Sequence, residues 1–447
     1  MYISRVRVSD VRGFRAARAV DLEFSIRDDG SRAGWTVIAG RNGSGKSSLL
    51  QAMALALTGP VTARALVPEF RHWISRGSDS GWVRLTVVSG GTDGAREGQS
   101  GVSRDSADES LELNLSFGWS EPNRDGRRSP MLKLTRTPSS ADPWEEDDLG
   151  LFFAAYGPFR RLTGGAVGAQ RLTASPKLAR VATLFHEDAS LAEGVSWLVE
   201  QHLRALEERP GAAELKDLVL SVLGDGLLPD GYQIHRIDSE GLWVSHGGHP
   251  FPLREMSDGY RTVAALIVDL IRQLHSSVGT VPTEVRDGRT VITASGVVII
   301  DEVDAHLHVS WQQRIGVWLK QHFPGIQFIV TTHSPYICQA ADPGGLIRLP
   351  GPDEQEPPRV VDQDLYERVV YGTGDDAVMS ELFGLDQPYS ERAARLRHEL
   401  GDLEIRVLAG EASAEEVARY TRLQEQLTSS PASAARDTAR RFSKNRA

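Results

Sequence analysis

The stretch GRNGSGKSS, residues 40–48, constrains the fold of this chain more than any other segment. A β-like run, WTVIA, precedes it, and a helix-like run, KSSLLQAMALAL, begins inside it. The stretch fits the pattern G-x-x-x-x-G-K-[ST], whose glycines allow backbone N–H groups to curl around phosphate oxygens. A glycine-rich turn formed by chance would need neither the strand nor the helix. The order strand, loop, helix therefore predicts an α/β fold with a phosphate-binding loop.

The side chains of this loop predict how a nucleotide is held. Lys46 would bridge β- and γ-phosphate oxygens, and the Ser47 hydroxyl would ligate Mg²⁺. The helix that begins at the loop adds a favourable field for anions. Such a loop is typical of P-loop NTPases, so ATP and Mg²⁺ are the predicted cofactors. The predicted nucleotide contacts are Gly40, Arg41, Asn42, Gly43, Ser44, Gly45, Lys46, Ser47 and Ser48.

A second segment, GVVIIDEVDAHLH (296–308), supplies two acids for the same site. Its run VVII predicts a buried parallel strand, and Asp301 and Glu302 follow at the carboxyl end, where ligands bind in such sheets. Asp301 would hold Mg²⁺ directly or through water, and Glu302 would polarise the attacking water. Two exposed acids at a strand end are the simpler alternative, which the combination with a phosphate loop disfavours.

The run IQFIVTTHS (326–334) predicts another buried strand, which ends near His333. A histidine at that end would contact the γ-phosphate and sense its loss. An isolated histidine is more often an ordinary loop residue. His333 is therefore a predicted catalytic residue only in combination with the loop and the acid pair.

The stretch PLREMSDGYRTVAALIVDL, residues 252–270, predicts a helix that begins near Ser257. Ser257 either only caps this helix or, together with Gly259, presents a hydroxyl and backbone N–H groups to a phosphate. Since the chain already has a phosphate loop, the second interpretation requires the nucleotide of another copy. Two subunits arranged head to tail would then enclose two ATP molecules, each between one subunit's phosphate loop and the Ser257 segment of the other.

The whole sequence divides into four predicted regions. A polar, Gly- and Ser-rich insertion is expected at about 89–149, and a helical pattern runs from about 175 to 225. The predicted regions are an ATPase lobe with the phosphate loop (1–162), a helical lobe (163–256), an ATPase lobe with Ser257, the acid pair and His333 (257–350), and a C-terminal tail that docks a partner (351–447).

Two apolar stripes near the C-terminus predict a helical hairpin. A capping-box pattern, Ser413 with Glu416, marks the start of its second helix. The stripes pack either against the chain's own core or against a partner protein. The basic residues from Arg436 onward either touch phosphates or are solvated. The stripes are Leu396, Leu400, Leu403 and Val407, and then Val417, Tyr420, Leu423 and Leu427.

Composition narrows the class of protein. The net charge of −10 gives no general attraction to nucleic acid or to anionic membranes. No apolar run reaches the roughly eighteen residues of a transmembrane helix, and the N-terminus lacks the apolar block of a signal peptide. The single cysteine, Cys338, excludes an internal disulfide and fits a small buried residue. We therefore expect a cytoplasmic protein without a membrane partner.

The order of these segments resembles ABC-type ATPases, with MSDGY in the place of their signature sequence. DEVDAHLHVSWQQ followed by FPGIQFIVTTHSP is similar to the RecF/SMC/OLD branch and especially to the PtuA-like ATPases of Septu, a bacterial anti-phage system. AAYGPFRRL and GTGDDAVMSELFGLDQPYS also resemble that group. The resemblance implies that Ser257 and Gly259 contact the γ-phosphate of a second subunit's ATP. It also implies that 304–308 forms the D-loop and that His333 is the switch histidine.

The chain departs from the ABC pattern in two places. Asp258 and Tyr260 replace the Gly and Gln of the signature, and a negative charge facing phosphate would weaken binding in trans. No clear Q-loop glutamine is present; Tyr156–Arg161 occupies that place, and Gln170 is the weaker alternative. Arg160 or Arg161 would contact nucleotide or DNA, or would form a surface ion pair.

The resemblance implies a homodimer or higher oligomer that hydrolyses ATP and gates a separate nuclease subunit, of HNH type, in anti-phage defence. The residues after His333 contain no acidic cluster similar to a TOPRIM nuclease, so the chain itself is not expected to be a nuclease. The alternative is a RecF-like DNA-repair ATPase that clamps DNA without a nuclease, and salt-dependent DNA binding would favour it. The DEVDAHLH segment disfavours a transporter ATPase.

Overall fold

The computed structural model describes residues 1–27, 29–88, 110–122, 128–133, 144, 152–160, 175–187, 189–228, 230–385 and 387–427. Most of the predicted insertion, Arg161 and the basic residues from Arg436 onward lie outside the described residues. The chain separates into two compact units, Met1–Phe383 and Gly384–Ala447. All predicted site residues belong to the first unit, and the division into four regions stays a prediction.

A six-stranded sheet forms the centre of the first unit. In spatial order its strands are β16 (Arg359–Val360), β15 (Leu346–Arg348), β3 (Gly34–Ala39), β14 (Ile326–Thr331), β13 (Gly296–Ile300) and β7 (Phe152–Tyr156). β15, β3, β14, β13 and β7 are parallel, whereas β16 is an antiparallel edge strand. Every residue of β13 is buried, as expected for apolar residues in a parallel strand that is covered on both faces. The predicted α/β fold with a mixed sheet is confirmed.

The N-terminal part of the chain forms a five-stranded antiparallel sheet. Its order is β2 (Val20–Glu23), β1 (Tyr2–Ser9), β4 (Ser80–Val88), β5 (Ser110–Trp119) and β6 (Pro130–Lys133). Burial alternates along β4, so one face packs inward. Two smaller sheets are β8 (Gln233–Asp238) with β9 (Gly241–His246) and β10 (His249–Pro252), and the hairpin β11 (Thr283–Arg286) with β12 (Arg289–Ile292). The sequence patterns did not predict the β11–β12 hairpin.

Helices pack on both faces of the central sheet. The longest of them in the described part of this unit are α1, which leaves the phosphate loop, and α6, whose N-cap residue is Ser257 as predicted. The helices are α1 (Lys46–Leu66), α2 (Pro176–Ala179), α3 (Ala182–Phe185), α4 (Ala192–Leu206), α5 (Ala212–Gly224), α6 (Asp258–Val278), α7 (Val309–Gln312), α8 (Ile315–His322), α9 (Pro335–Cys338), α10 (Gln363–Val370) and α11 (Gly374–Val378).

Alternate residues of the central strands belong to two hydrophobic clusters. In β13, Val298 and Ile300 belong to the cluster that contains α6, whereas Val297 and Ile299 belong to the cluster that contains α1 and the antiparallel sheet. Burial of each such side chain contributes about 1.5–3 kcal/mol. The two clusters therefore fix the carboxyl ends of the strands, where the predicted site residues lie. Cys338 is buried, as predicted.

Helix α1 bends at Gly59, because Pro60 has no N–H to donate to the carbonyl of Ala56. The indole N–H of Trp144 donates to that carbonyl at 3.0 Å instead. Within the described residues, α1 is the one helix long and apolar enough to cross a membrane. However, 72% of its most apolar window is buried inside the fold, as in a core helix.

The second unit contains the predicted helical hairpin, α12 (Glu391–Leu408) and α13 (Ala414–Gln426). The capping box of Ser413 and Glu416 is present, with the Ser413 hydroxyl accepting from the Glu416 N–H and the Glu416 carboxylate accepting from the Ser413 N–H. Leu423 is fully buried, whereas Leu408 is 82% exposed. The hairpin prediction is confirmed, and part of its apolar surface faces solvent.

Candidate nucleotide-binding site

The phosphate loop connects β3 to α1, and its glycines are required by its shape. Gly45 has a φ of 101°, which side chains of L-residues rarely adopt. A Cβ atom at Gly45 would lie 2.8 Å from the ring of Phe14, and one at Gly40 would lie 2.5 Å from the carbonyl oxygen of Leu349. A larger residue at either position would therefore clash with a neighbour, so the path of the loop depends on both glycines.

Lys46 lies over this loop. Its ammonium donates to the carbonyl oxygens of Gly40 at 2.8 Å and of Arg41 at 3.4 Å. Burial lowers the pKa of Lys46, and the nearby carboxylates of Asp301 and Glu302 oppose that shift. The lysine and the two predicted acids, which lie far apart in sequence, are therefore close enough in space to interact.

Asp301 and Glu302 follow β13 directly. The Asp301 carboxylate is buried and accepts a hydrogen bond from the hydroxyl of Thr331, at the end of the neighbouring strand β14. The same hydroxyl accepts from the backbone N–H of Glu302 at 2.8 Å. Glu302 has a φ of 46°, a left-handed backbone conformation that is uncommon for a residue with a side chain. One threonine thus holds both predicted acids in place.

His333 follows β14 and faces the same site. Its backbone N–H donates to Asp304 at 3.3 Å, and the Thr332 hydroxyl donates to the same carboxylate. Burial is the main reason that the pKa of His333 is lowered, and the Lys46 ammonium lowers it further. His333 is therefore neutral at neutral pH and lies within electrostatic range of the phosphate loop.

Ser257 and Gly259 lie elsewhere. Ser257 is exposed at the start of α6, and no hydrogen bond or ion pair found among the described residues joins it or Gly259 to residues 40–48. Gly259 lies against the carbonyl oxygen of His306, which a Cβ atom would approach to 2.2 Å. The structure thus brings together the loop, the acid pair and His333, and it leaves the Ser257 hydroxyl at the surface.

The chain matches the protein-family model described as "AAA domain, putative AbiEii toxin, Type IV TA system" over residues 35–339. This range covers more than half of the chain and includes the phosphate loop, the acid pair and His333. The chain belongs to this AAA-domain family.

Three known proteins are similar to the chain. The Septu protein PtuA of Bacillus mycoides (strain KBAB4) is 25% identical over 350 residues, which are 78% of this chain and 40% of that protein. The Retron Ec83 probable ATPase of Escherichia coli is 44% identical over 88 residues, 20% of this chain and 15% of that protein. A crystal structure of an Smc head bound to the C-winged helix domain of ScpA aligns with a TM-score of 0.43 and 16% identity, covering 81% of this chain and 98% of that one. The predicted similarity to PtuA is confirmed, although the aligned part spans less than half of either curated relative.

Two departures from the ABC signature have local explanations in this AAA-domain protein. The Asp258 carboxylate accepts a hydrogen bond from the guanidinium of Arg261, one turn along α6, and this ion pair offsets part of its charge. Tyr260 packs against Tyr232, with ring centroids 6.0 Å apart, and its hydroxyl donates to Asp230 at 3.4 Å. Both side chains therefore have partners within the chain itself.

Two arginines of the N-terminal segment, which the sequence motifs do not include, contact the AAA domain's phosphate loop. Arg12 donates to the hydroxyl of Ser48 at 3.0 Å and lies 4.0 Å above the ring of Trp73. Burial lowers the pKa of Arg12 to about 10, so it stays charged at neutral pH. Arg18 donates to the Ser44 carbonyl at 2.9 Å and lines a cavity of about 450 Å³ beside the loop. The dense arginines of RVRVSDVRGFRAAR, residues 5–18, are the available signal in the sequence.

The prediction of a surface ion pair is wrong for Arg160. Arg160 is buried, and its guanidinium donates to four backbone carbonyls, those of Gly157, Asp301, Glu302 and Val303, at 2.9–3.4 Å. Burial lowers the pKa of Arg160 to about 10, and the neighbouring carboxylates oppose that shift. The planar guanidinium carries several N–H donors, so it can bind the closely spaced carbonyls of this turn without a carboxylate partner at the surface.

Proposed function

We propose that this chain binds ATP and hydrolyses it to ADP and phosphate as an ABC-type ATPase. The observation that carries the proposal is the convergence of Lys46, Asp301, Glu302 and His333 where β3, β13 and β14 end. The mutual effects of these groups on the pKa values of Lys46 and His333 support their proximity. Perturbed ionisable groups around a phosphate loop are typical of a catalytic site.

The described residues fit ATP accompanied by Mg²⁺. Gly40 and Gly45 hold the loop backbone on its path, because a Cβ at either position would strike a neighbour, and the backbone N–H groups of such a loop would bind phosphate oxygens. The Ser47 hydroxyl and the Asp301 carboxylate would supply oxygen ligands of the kind that Mg²⁺ prefers. A magnesium ion there would neutralise charge on the β- and γ-phosphate oxygens. Lys46 would bind the same oxygens by charge-assisted hydrogen bonds.

The chain's own side chains supply the proton chemistry in this proposal. Glu302 would orient the attacking water and accept its proton, a role that contributes about 10²–10⁴-fold in rate. His333, neutral at neutral pH, would donate a hydrogen bond to the γ-phosphate. Thr331 would keep Glu302 and Asp301 in register, since its hydroxyl bonds to both residues.

We further propose a head-to-tail dimer, or a higher oligomer, in which Ser257 and Gly259 contact the ATP of a second subunit. The exposed Ser257 at the start of a long helix supports this arrangement, because helix N-termini favour anions. Ser257→Arg should abolish ATP-dependent dimerisation in analytical ultracentrifugation, whereas Ser276→Arg, near the exposed other end of the same helix, should not. Equal dimerisation of both variants would leave Ser257 as a helix cap only.

The similarity to PtuA supports a role in anti-phage defence, in the cytoplasm, with a nuclease effector subunit of HNH type as the partner. The exposed Ile405 and Leu408 make the hairpin of α12 and α13 the proposed docking surface. A chain truncated after Gly384 should lose co-purification with the proposed nuclease subunit when the two are co-expressed. Unchanged co-purification would reject the hairpin, and salt-dependent DNA binding without any nuclease partner would favour a DNA-repair clamp.

Equilibrium binding of ATP tests the proposed function. Lys46→Ala removes charged hydrogen bonds worth about 1.5–3 kcal/mol, so ATP should bind roughly 10–100-fold more weakly. Lys216→Ala, which removes a lysine paired with Asp217 on α5, is the matched control and should bind as the unmodified chain does. Equal affinity of the two variants for ATP would reject the proposed site.

A further inference from the structure

Arg160 connects the turn that carries the acid pair to the segment after β7. Its guanidinium donates from Nη1 to the carbonyl of Asp301 at 2.9 Å and from Nη2 to the carbonyl of Glu302 at 3.0 Å. A third, longer bond reaches Val303 at 3.4 Å. Three consecutive carbonyls therefore turn toward one buried cation, which is an unusual concentration of acceptors.

The opposite side of the same turn is held by β14. The N–H of Glu302 donates to the Thr331 hydroxyl at 2.8 Å, and the N–H of Val303 donates to the Thr331 carbonyl at 3.0 Å. Glu302 thus keeps its left-handed backbone, with a φ of 46°, between Arg160 on one side and Thr331 on the other. A strained backbone of this kind persists only where its surroundings hold it. Since the backbone angle sets the direction of the Glu302 side chain, its orientation depends on both partners.

The same arginine also contacts the helix that begins at Ser257. The Thr262 hydroxyl of α6 donates to the Arg160 carbonyl at 3.4 Å. Further along α6, Asp269 accepts from the hydroxyl of Tyr156, whose own carbonyl accepts from the N–H of Asp301 at 2.8 Å. Two buried polar links therefore tie α6 to the acid-bearing turn.

We propose that Arg160 is a positioning residue that orients Glu302 for water activation and links that orientation to helix α6. This inference rests on the proposed function, because it concerns the same ATP site. Arg160 does not reach the nucleotide in this proposal. It acts through the backbone of Glu302, and movement of α6 when Ser257 meets a phosphate would be transmitted to the base through Arg160.

The conservative substitution Arg160→Lys tests the role. Lysine keeps the charge but lacks the planar fork of donors that reaches several carbonyls at once. We expect kcat for ATP hydrolysis to fall by about 10–100-fold, while the Kd for ATP changes by less than about threefold. Arg289→Lys, an exposed arginine paired with Asp225, should leave both constants unchanged. A variant in which Kd rises as much as kcat falls would show a general structural defect and overturn the inference.

Combination with Glu302→Gln separates positioning from structure. If Arg160 acts only through Glu302, adding Arg160→Lys to Glu302→Gln should not lower the residual turnover further. Multiplicative losses in the double variant would overturn the inference. If Arg160→Lys does not accumulate as folded protein, Arg160→Gln, which retains two N–H donors, is measured in the same way. Normal turnover of the Arg160 variant beside an inactive Glu302→Gln rejects this inference alone, whereas no hydrolysis by the unmodified chain rejects the proposed function.

Discussion

Thr331→Val tests the internal support of the candidate site. Thr331 is fully buried, and its hydroxyl both donates to the Asp301 carboxylate and accepts from the N–H of Glu302 at 2.8 Å. Valine has nearly the same shape but makes neither bond. A hydrogen bond to a charged group contributes about 1.5–3 kcal/mol and a neutral one about 0.5–1.5 kcal/mol. The variant should therefore lose about 2–4 kcal/mol of unfolding free energy.

Urea denaturation followed by tryptophan fluorescence would measure that loss. Thr331→Ser keeps the hydroxyl and removes one methyl group, so it should lose only about 1 kcal/mol. ATP turnover should fall in the valine variant and be largely retained in the serine variant, because only the hydroxyl fixes the N–H of Glu302. If the valine variant is as stable and as active as the serine variant, the hydroxyl does not hold the acid pair and the reasoning fails.

Two further predictions follow from local geometry. Gly45→Ala should lose about 2–4 kcal/mol of stability in thermal melts, since its φ of 101° and the Phe14 ring 2.8 Å away both oppose a side chain. Gly77→Ala is the control: Gly77 has a φ of 88° and no neighbour within 4 Å, so this variant should lose only about 1–2 kcal/mol in the same measurement. Because burial lowers the pKa of His333, the unfolded chain binds the proton more readily, and stability is lost as pH falls below about 6.5. The melting temperature of His333→Gln should fall less than that of the unmodified chain between pH 7.5 and 5.5, and an equal fall would show that His333 does not carry this pH dependence.

The central part of the fold was predictable because its signals are local. The run VVII before Asp301 has no polar residue and could only be a buried strand, and GRNGSGKSS marks a strand, a loop and a helix within a few residues. The capping box at Ser413 is likewise contained in four residues and is present in the structure. Each of these patterns predicts its local structure from residues that are adjacent in sequence.

The supporting residues of the site were not predictable in this way. Arg160 has the sequence context of an exposed loop, and only its distance to three carbonyls around Glu302 explains its burial. Thr331 reads as one more β-branched strand residue, and its two bonds depend on the register between β13 and β14. The contact of Arg12 with Ser48 depends on a turn with a φ of 51°. In each case the role of the residue depends on hydrogen bonds to residues that are distant in sequence and close only in the folded chain.

Steady-state ATP hydrolysis by the purified chain and by its Glu302→Gln variant is the most direct test of the central claim. We expect the unmodified chain to turn over ATP in the presence of Mg²⁺. The variant should bind ATP with similar affinity and should lose about 10²–10⁴-fold in kcat, since glutamine cannot accept the proton from water. Absence of hydrolysis by the unmodified chain, or turnover by the variant at the unmodified rate, would contradict the assignment of this site as an ATPase with Glu302 as its base.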